Sequence, residues 1–587
     1  MRRWTCLAWS VSLGLSFSVR AAEPTVPPSP RVFGESSQLQ LVDFEGPPIP
    51  EGAVPPSPIN QLGPNDGGSL PPMIASQAGT YSSPSTMPGM AAPAPAAAKP
   101  AGPKPPPQPW KPCFFDNDFS YKKDPNHTYL LGEELKDMPL DSVFPWDAGE
   151  DTRLSVGGEL RHRHMNEENR LRAPFGTGGH STYELLRWRQ YFDLKHSDWV
   201  RVYIEMIDAS IYNADLPITG IDKNRWDLQN AFADLRVLER DDKPVWLRVG
   251  RQELLFGSQR LVSPLDWGNT RRNWDGVRIN SPGTTWDLDA WLVNPVNTGT
   301  FGAGGGAGPG LGVNKNDHDF DQRQSDIVFG GAWGTYKGIK DHTIDTFLLF
   351  DRHSRLFPGG AGFDPTPAVP PPLNNSFPLG DRYTLGTRWL GTFPTDGGRS
   401  YLTDVEGGYQ FGNDKFQQVQ AGYFTGGVGH VWKSVKWEPT VWGFYDWASG
   451  DNNPTDGVNS TFYQHYGLVH AYLGLIDNVA RQNTSDINYR VSVKPTKKLQ
   501  LQAAQHFIQL ANNSDSLYTI TGQKFGSPGG HGRDVGNELD LLATYTYNQN
   551  FSIEAGQFWF WYGDYIHSVQ PARQDAQQFY VQTTFRY

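Results

Sequence analysis

Cysteine is nearly missing from this chain: 587 residues contain 2, Cys6 and Cys113. Cys6 lies within an apolar stretch behind Arg2 and Arg3, so a processed chain keeps Cys113 alone. That excludes an internal disulfide framework and a cysteine-rich metal site. Charge is also scarce, at 19% of residues, with a formal net charge of −11 and no basic tract. Nucleic acid is therefore not an expected partner. No apolar run beyond the N-terminus is long enough for a membrane helix, which excludes a helical bundle but not a barrel of alternating strands. Catalytic motifs are missing too: there is no Gly-x-Ser-x-Gly elbow, no His-Glu-x-x-His and no phosphate loop. No catalytic residue and no cofactor is assigned. The carboxylate pairs Asp287/Asp289 and Glu538/Asp540 have a spacing that any strand produces, although it leaves a carboxylate-pair polysaccharide hydrolase as an alternative.

What is present is organised in four stretches. Arg2 and Arg3, the apolar Leu7 to Val19, and the small residues around Ala21 predict a secretory signal at 1–21. The stretch from Glu23 to Pro112 holds 24 of the 47 prolines. Proline cannot donate to a ladder and disfavours helix, so 22–112 reads as a disordered, partly polyproline II periplasmic leader. A short ordered segment is expected at 113–150, with one helix-like turn at Glu133-Glu134-Leu135-Lys136.

From 151 to 587 apolar and polar residues alternate in short segments separated by turns rich in Gly, Asp, Asn and Pro. Leu186, Trp188, Phe192 and Leu194 share one parity, and Arg187, Arg189 and Asp193 the other. Successive strand side chains face opposite ways, so each segment has one oily and one wet face. A soluble sandwich alternates too, but its apolar faces need a partner sheet. Sustained over this length, the pattern predicts an all-β fold: a closed antiparallel transmembrane barrel of about eighteen strands. The chain ends on Phe579, Val581, Thr583, Phe585 and Tyr587, resembling the aromatic assembly signal of outer-membrane barrels. The expected setting is the bacterial outer membrane, with lipid and the barrel assembly machinery as partners. Long external loops are expected at Asn297–Asp326, Asp351–Gly380 and Ala448–Tyr466.

One stretch is more specific: Gly250-Arg251-Gln252-Glu253-Leu254-Leu255-Phe256-Gly257-Ser258-Gln259-Arg260, then Asp266-Trp267 and Asn269-Thr270-Arg271-Arg272-Asn273-Trp274-Asp275-Gly276-Val277-Arg278. It resembles the signature of the alginate export family of outer-membrane barrels. Tyr445-Asp446-Trp447-Ala448-Ser449-Gly450-Asp451, Ala471-Tyr472-Leu473-Gly474 and Gly536-Asn537-Glu538-Leu539-Asp540 resemble it as well. The resemblance implies a barrel with an arginine-rich constriction that conducts an anionic polyuronate.

Parity places Arg161, Arg163, Arg187, Arg189, Arg201, Arg248, Arg278, Arg388 and Arg490 on faces away from apolar neighbours. Guanidinium groups in a narrow lumen attract uronates or smaller anions. The competing reading pairs them with Glu159, Asp193, Glu205 and Asp234 across the wall. If the lumen carries a positive field, the acids belong mainly in loops, as Asp317, Asp319, Asp321, Asp451 and Asp456 suggest. Asp451, Asn453 and Asp456 offer oxygen ligands for calcium, though such clusters are also ordinary turn chemistry. His162 and His164 share a face, without an evident third ligand for a metal. Trp and Tyr suit interface girdles better than sugar stacking, which leaves a surface or periplasmic glycan-binding β-protein as a further alternative.

Overall fold

The computed structural model describes residues 108–124, 127–140, 151–171, 178–297, 320–325, 327–353, 380–414 and 417–587. The expected signal, nearly all of the proline-rich leader and most of the connections at 298–326 and 354–379 lie outside the described residues.

Eighteen strands close into one barrel. They are β1 (Thr152–Glu168), β2 (His180–His196), β3 (Val200–Tyr212), β4 (Asn224–Arg240), β5 (Lys243–Gln252) and β6 (Trp274–Ser281). Next come β7 (Trp286–Asn297), β8 (Ile327–Tyr336), β9 (His342–His353), β10 (Gly380–Thr395), β11 (Arg399–Asp414) and β12 (Gln417–Trp432). The circuit finishes with β13 (Thr440–Ala448), β14 (Thr484–Val493), β15 (Leu499–Leu510), β16 (Asp534–Thr546), β17 (Phe551–Tyr562) and β18 (Ala576–Arg586). Each pairs antiparallel with its neighbours, and β18 returns to β1 with Phe585 opposite Leu160. Closure leaves no strand edge unpaired. Among the described residues no helix is long and apolar enough to cross a membrane.

Two-residue alternation separates the faces. Leu160 is 45% exposed on the outer wall while its neighbour Arg161 is 1% exposed inside. Phe192, Val202, Ile204, Val249, Val277 and Val491 continue the outer apolar band. Exposed Trp199, Trp286, Tyr401 and Trp437 lie towards one end of it, and Tyr212, Trp226, Tyr409 and Trp561 towards the other. These are the expected girdles, with amphipathic rings at both interfaces.

The two ends differ. One carries tight turns such as 197–199 and 241–242, the latter with Asp241 and Asp242 at φ 54° and 58°. Such positive φ pairs match the twist of a hairpin. The other end carries 253–273, 449–483 and 511–533. Short turns face the periplasm in barrels of this class.

The connection from Ala448 corrects an expectation. Only its turn at Asn452–Gly457 is exposed; Phe462, Leu468, Val469 and Ile476 are buried inside the barrel, packed against wall residues such as Tyr423 and Phe558. Apolar residues in a polar-walled lumen collapse onto one another, so the loop turns inward instead of standing in water. The 253–273 connection does the same, and the two are stitched together: Ser263 N donates to Tyr466 O at 3.1 Å and Leu468 N to Gln259 O at 2.8 Å.

Ahead of the barrel, the described residues are 108–124 and 127–140. They form short 3-10 turns at Phe114–Asp116, Ser120–Lys123 and Glu133–Leu135, the last where a helix-like turn is expected. Met138 and Pro139 then pair with Leu154 and Arg153. This stretch abuts the β1–β18 seam. Gly158 and Tyr587 exchange backbone hydrogen bonds of 2.9 and 3.1 Å, and a Cβ on Gly132 would lie 3.1 Å from Tyr587. Asn550 Nδ2 donates both to Leu131 O, at 2.9 Å, and to Arg586 O, at 2.8 Å.

Candidate solute passage in the barrel lumen

All nine arginines picked out by parity sit on inward positions, opposite an outer band that is exposed. The structure gathers them into separate groups. Around the inward loop, Arg161 and Arg187 face each other across β1 and β2. Arg161 donates to the carbonyls of Asp266 and Gly268 at 2.7 and 2.5 Å. Arg187 reaches Glu159 at 2.6 Å and Asp266 at 2.8 Å. Arg189 reaches Glu205 at 2.6 Å. Arg163 donates to Gln582 at 2.7 Å and Trp267 O at 3.0 Å, and lies 3.8 Å over the Trp267 ring.

Nearer the short turns, Arg201 holds Asp193 and Arg248 holds Asp234, each at 2.7 Å, and Arg278 holds Asp289. Arg388 stands apart with Asp404 at 3.0 Å and Asp345 at 3.4 Å. Arg490 donates to Asn488 and to the carbonyls of Ala471 and Tyr472.

The acids are not confined to loops, contrary to expectation. Glu159, Glu205, Asp234, Asp404 and Glu406 are buried beside the arginines, and of the proposed loop acids Asp321 is itself buried. Asp317 and Asp319 lie outside the described residues. The reason is desolvation: a guanidinium withdrawn from water needs a counter-charge or full hydrogen bonding.

Sequence parity misses the arginines on the inward loop. Arg260 donates to Asp404 at 2.7 Å and to Glu406 at 2.8 Å, pinning the loop to β11. Arg271 holds Glu253 at 2.5 Å and also Asp266. Their presence in the signature is the signal that marks them, because alternation carries no information outside strands. Arg481 similarly ties the second inward connection to Asp446, at 2.6 Å.

Other candidates disperse into local bonding. Asp451 Oδ1 accepts from Asn453 N, and Asp456 Oδ1 from Val458 N, as ordinary turns do. His162 and His164 both bond Glu184, at 2.9 and 2.7 Å, on the outer wall; the acidic partner comes from the adjacent strand. No group of three ligands able to hold a metal occurs among the described residues. Asp287 is taken by Lys337 at 2.7 Å, and Glu538 accepts from Ile476 N at 2.8 Å.

At the short-turn end lies a cavity of about 490 Å³ whose lining includes Cys113, Phe115, Arg201, Asp234, Arg248 and Arg278. Burial, with the carboxylates of Glu253 and Asp116 nearby, pushes the Cys113 thiol well above its ordinary range.

Among known proteins, a family profile described as alginate export matches residues 152–579. No curated protein matches the chain. Solved structures similar to it include the Pseudomonas aeruginosa outer membrane protein OprD, at 12% identity and a TM-score of 0.47, covering 74% of this chain and 93% of that one. Pseudomonas aeruginosa OccK3 (OpdO) is 13% identical with a TM-score of 0.47, covering 77% and 99%. The chain belongs to the alginate export family and is a closed eighteen-stranded channel of the bacterial outer membrane.

Proposed function

We propose that this channel passes an anionic solute, either a uronate-type polysaccharide or smaller anions. The observation that carries the reading is the bonding of Arg161 and Arg163. Both are buried in the lumen and donate to neutral carbonyl and amide oxygens, whereas six others in the set hold carboxylates. A guanidinium so bonded is oriented with no ion pair of its own, although the carboxylates of Asp266 and Glu159 lie near Arg161 and that of Glu554 near Arg163. Between low-dielectric walls, fixed positive charges concentrate anions, and salt weakens the preference over a Debye length of about 8–10 Å. Guanidinium also matches the carboxylate of a uronate in a bidentate way. The outer apolar band supports lipid as a partner, and the aromatic β18 supports handling by the barrel assembly machinery.

Reversal potentials across a salt gradient test the proposal. The parent should prefer anions, and Arg161→Gln with Arg163→Gln should remove most of that preference. Cation preference in the parent, or an unchanged ratio in the pair of substitutions, would refute it. Arg187, Arg189 and Arg201 are less suitable targets, because their loss orphans Glu159, Glu205 and Asp193 in a buried setting.

A further inference from the structure

The lumen of the short-turn end is occupied by the chain's own residues. Phe114 and Phe115 are 3% and 4% exposed and pack on the inward rings of Tyr191, Tyr203 and Phe232. Phe115 meets Tyr203 and Phe232 edge-on at 5.8 and 5.3 Å. Lumen arginines on the same strands and their neighbours hold these residues too. The Arg189 guanidinium lies 4.0 Å over Phe114, and that of Arg248 4.4 Å over Phe115. Arg201 donates to Phe115 O at 2.6 Å and Arg271 to Pro112 O at 2.9 Å. Three of the nine lumen arginines therefore grip this segment.

The hold is of a kind that releases without unfolding the barrel. Pro112–Asp116 contributes no strand to the wall; it is retained by side-chain packing and hydrogen bonds, among them two rings, two carbonyl contacts and a thiol bonded to Glu253. Its tether, through Glu133–Leu135 to Met138 and Pro139, joins the barrel at the start of β1, by a two-residue pairing and the bonds of Lys136 to Val156 O and of Asp137 N to Ser155 Oγ. Segments with few ladder bonds open at lower free energy than the sheet they rest on.

We infer that Pro112–Asp116 is a displaceable plug at the periplasmic mouth, so that the resting channel is closed there and conducts when the segment withdraws. Cation–π and edge-on ring contacts hold it, and withdrawal returns Arg189, Arg201, Arg248 and Arg271 to the passage. Closure and solute charge are separate matters, so a cation-preferring channel would sink the proposed solute and leave this inference standing.

The test joins conductance to the reactivity of Cys113, 1% exposed in the plugged state. Full-length protein is placed in planar bilayers, and a membrane-impermeant methanethiosulfonate is added on the short-turn side. The parent should conduct in brief openings and label slowly. Phe114→Ser with Phe115→Ser should raise the open fraction roughly tenfold or more and label quickly. Heat-modifiable gel mobility establishes that the variant barrel is closed. If that variant does not assemble, the parent in urea too dilute to unfold the barrel supplies the same readout, with labelling and conductance rising together. A parent that conducts fully while Cys113 stays protected overturns the inference. So does a released segment, labelled quickly, that leaves conductance unchanged.

Discussion

Arg260 offers the sharpest test of how the constriction is held. Its guanidinium is buried without measurable exposure of the side chain and bonds Asp404 at 2.7 Å, Glu406 at 2.8 Å and the Ser258 hydroxyl at 3.0 Å. Arg260→Met keeps most of the volume and removes the charge, leaving Asp404 with Arg388, and Glu406 with the Ser258 and Tyr423 hydroxyls and the same Arg388 at 3.7 Å. Breaking a buried ion pair by removing one partner costs about 3–5 kcal/mol. Here the penalty falls on docking of the inward loops, because neither Asp404 nor Glu406 leaves the β11 ladder. Hydrogen exchange at Ser263, Tyr466 and Leu468, whose amides stitch the two loops together, reads it directly. Protection should fall by about 10²-fold or more, each 1.4 kcal/mol being tenfold. Adding Asp404→Asn and Glu406→Gln should restore part of it, since the orphaned charges are then gone and Arg388 keeps Asp345. A loss below tenfold, or no recovery in the neutralised background, would mean that apolar packing fixes the loops and the ion pairs are incidental.

Three further outcomes are expected. Burial pulls the Lys136 ammonium down to about 8 from 10.5, so the undocked segment binds the proton more tightly than the docked one. Docking should therefore strengthen as pH rises from about 8 towards 10.5 and be flat below that window; tryptic cleavage at Lys122, normalised to a free peptide, should slow accordingly, and faster cleavage at high pH would contradict it. Gly158→Ala drives a Cβ into the Arg189 carbonyl oxygen at the β1–β2 ladder. It should cost about 1–3 kcal/mol and lower the heat-modifiable fraction, and normal assembly would show that the backbone yields there. Asp456→Ala should shift unfolding by less than about 0.5 kcal/mol, and millimolar calcium should leave the parent's melting temperature unchanged; a calcium-dependent rise would reinstate the turn as a site.

The wall was legible because alternation is enforced at every strand residue. Leu160 and Arg161, or Trp188 and Arg189, cannot exchange faces without burying charge in lipid. The pairing of Arg201 with Asp193 and Asp234 was readable for the same reason, since same-parity neighbours on adjacent strands meet. The contents of the lumen were not legible. Phe114, Phe115, Phe462 and Leu468 lie in segments without periodicity, and a sequence does not say whether such residues fold over a surface or into a cavity. Arg260 and Arg271 show the intermediate case: the motif marks them as special, but only the inward fold of their loop reveals that they pin it.

Tyr587 belongs to two assemblies at once. It completes the β1–β18 seam through Gly158 and Gln190, and it forms the surface on which Gly132 rests, while Asn550 bridges Leu131 to Arg586. The resting place of 130–137 is thus made from both sides of the junction between the first and last strands. Until β18 meets β1 that place does not exist, so docking of 130–137 reports that the circle has closed, whereas the rings that hold Phe114 and Phe115 lie on β2, β3 and β4 and do not depend on it.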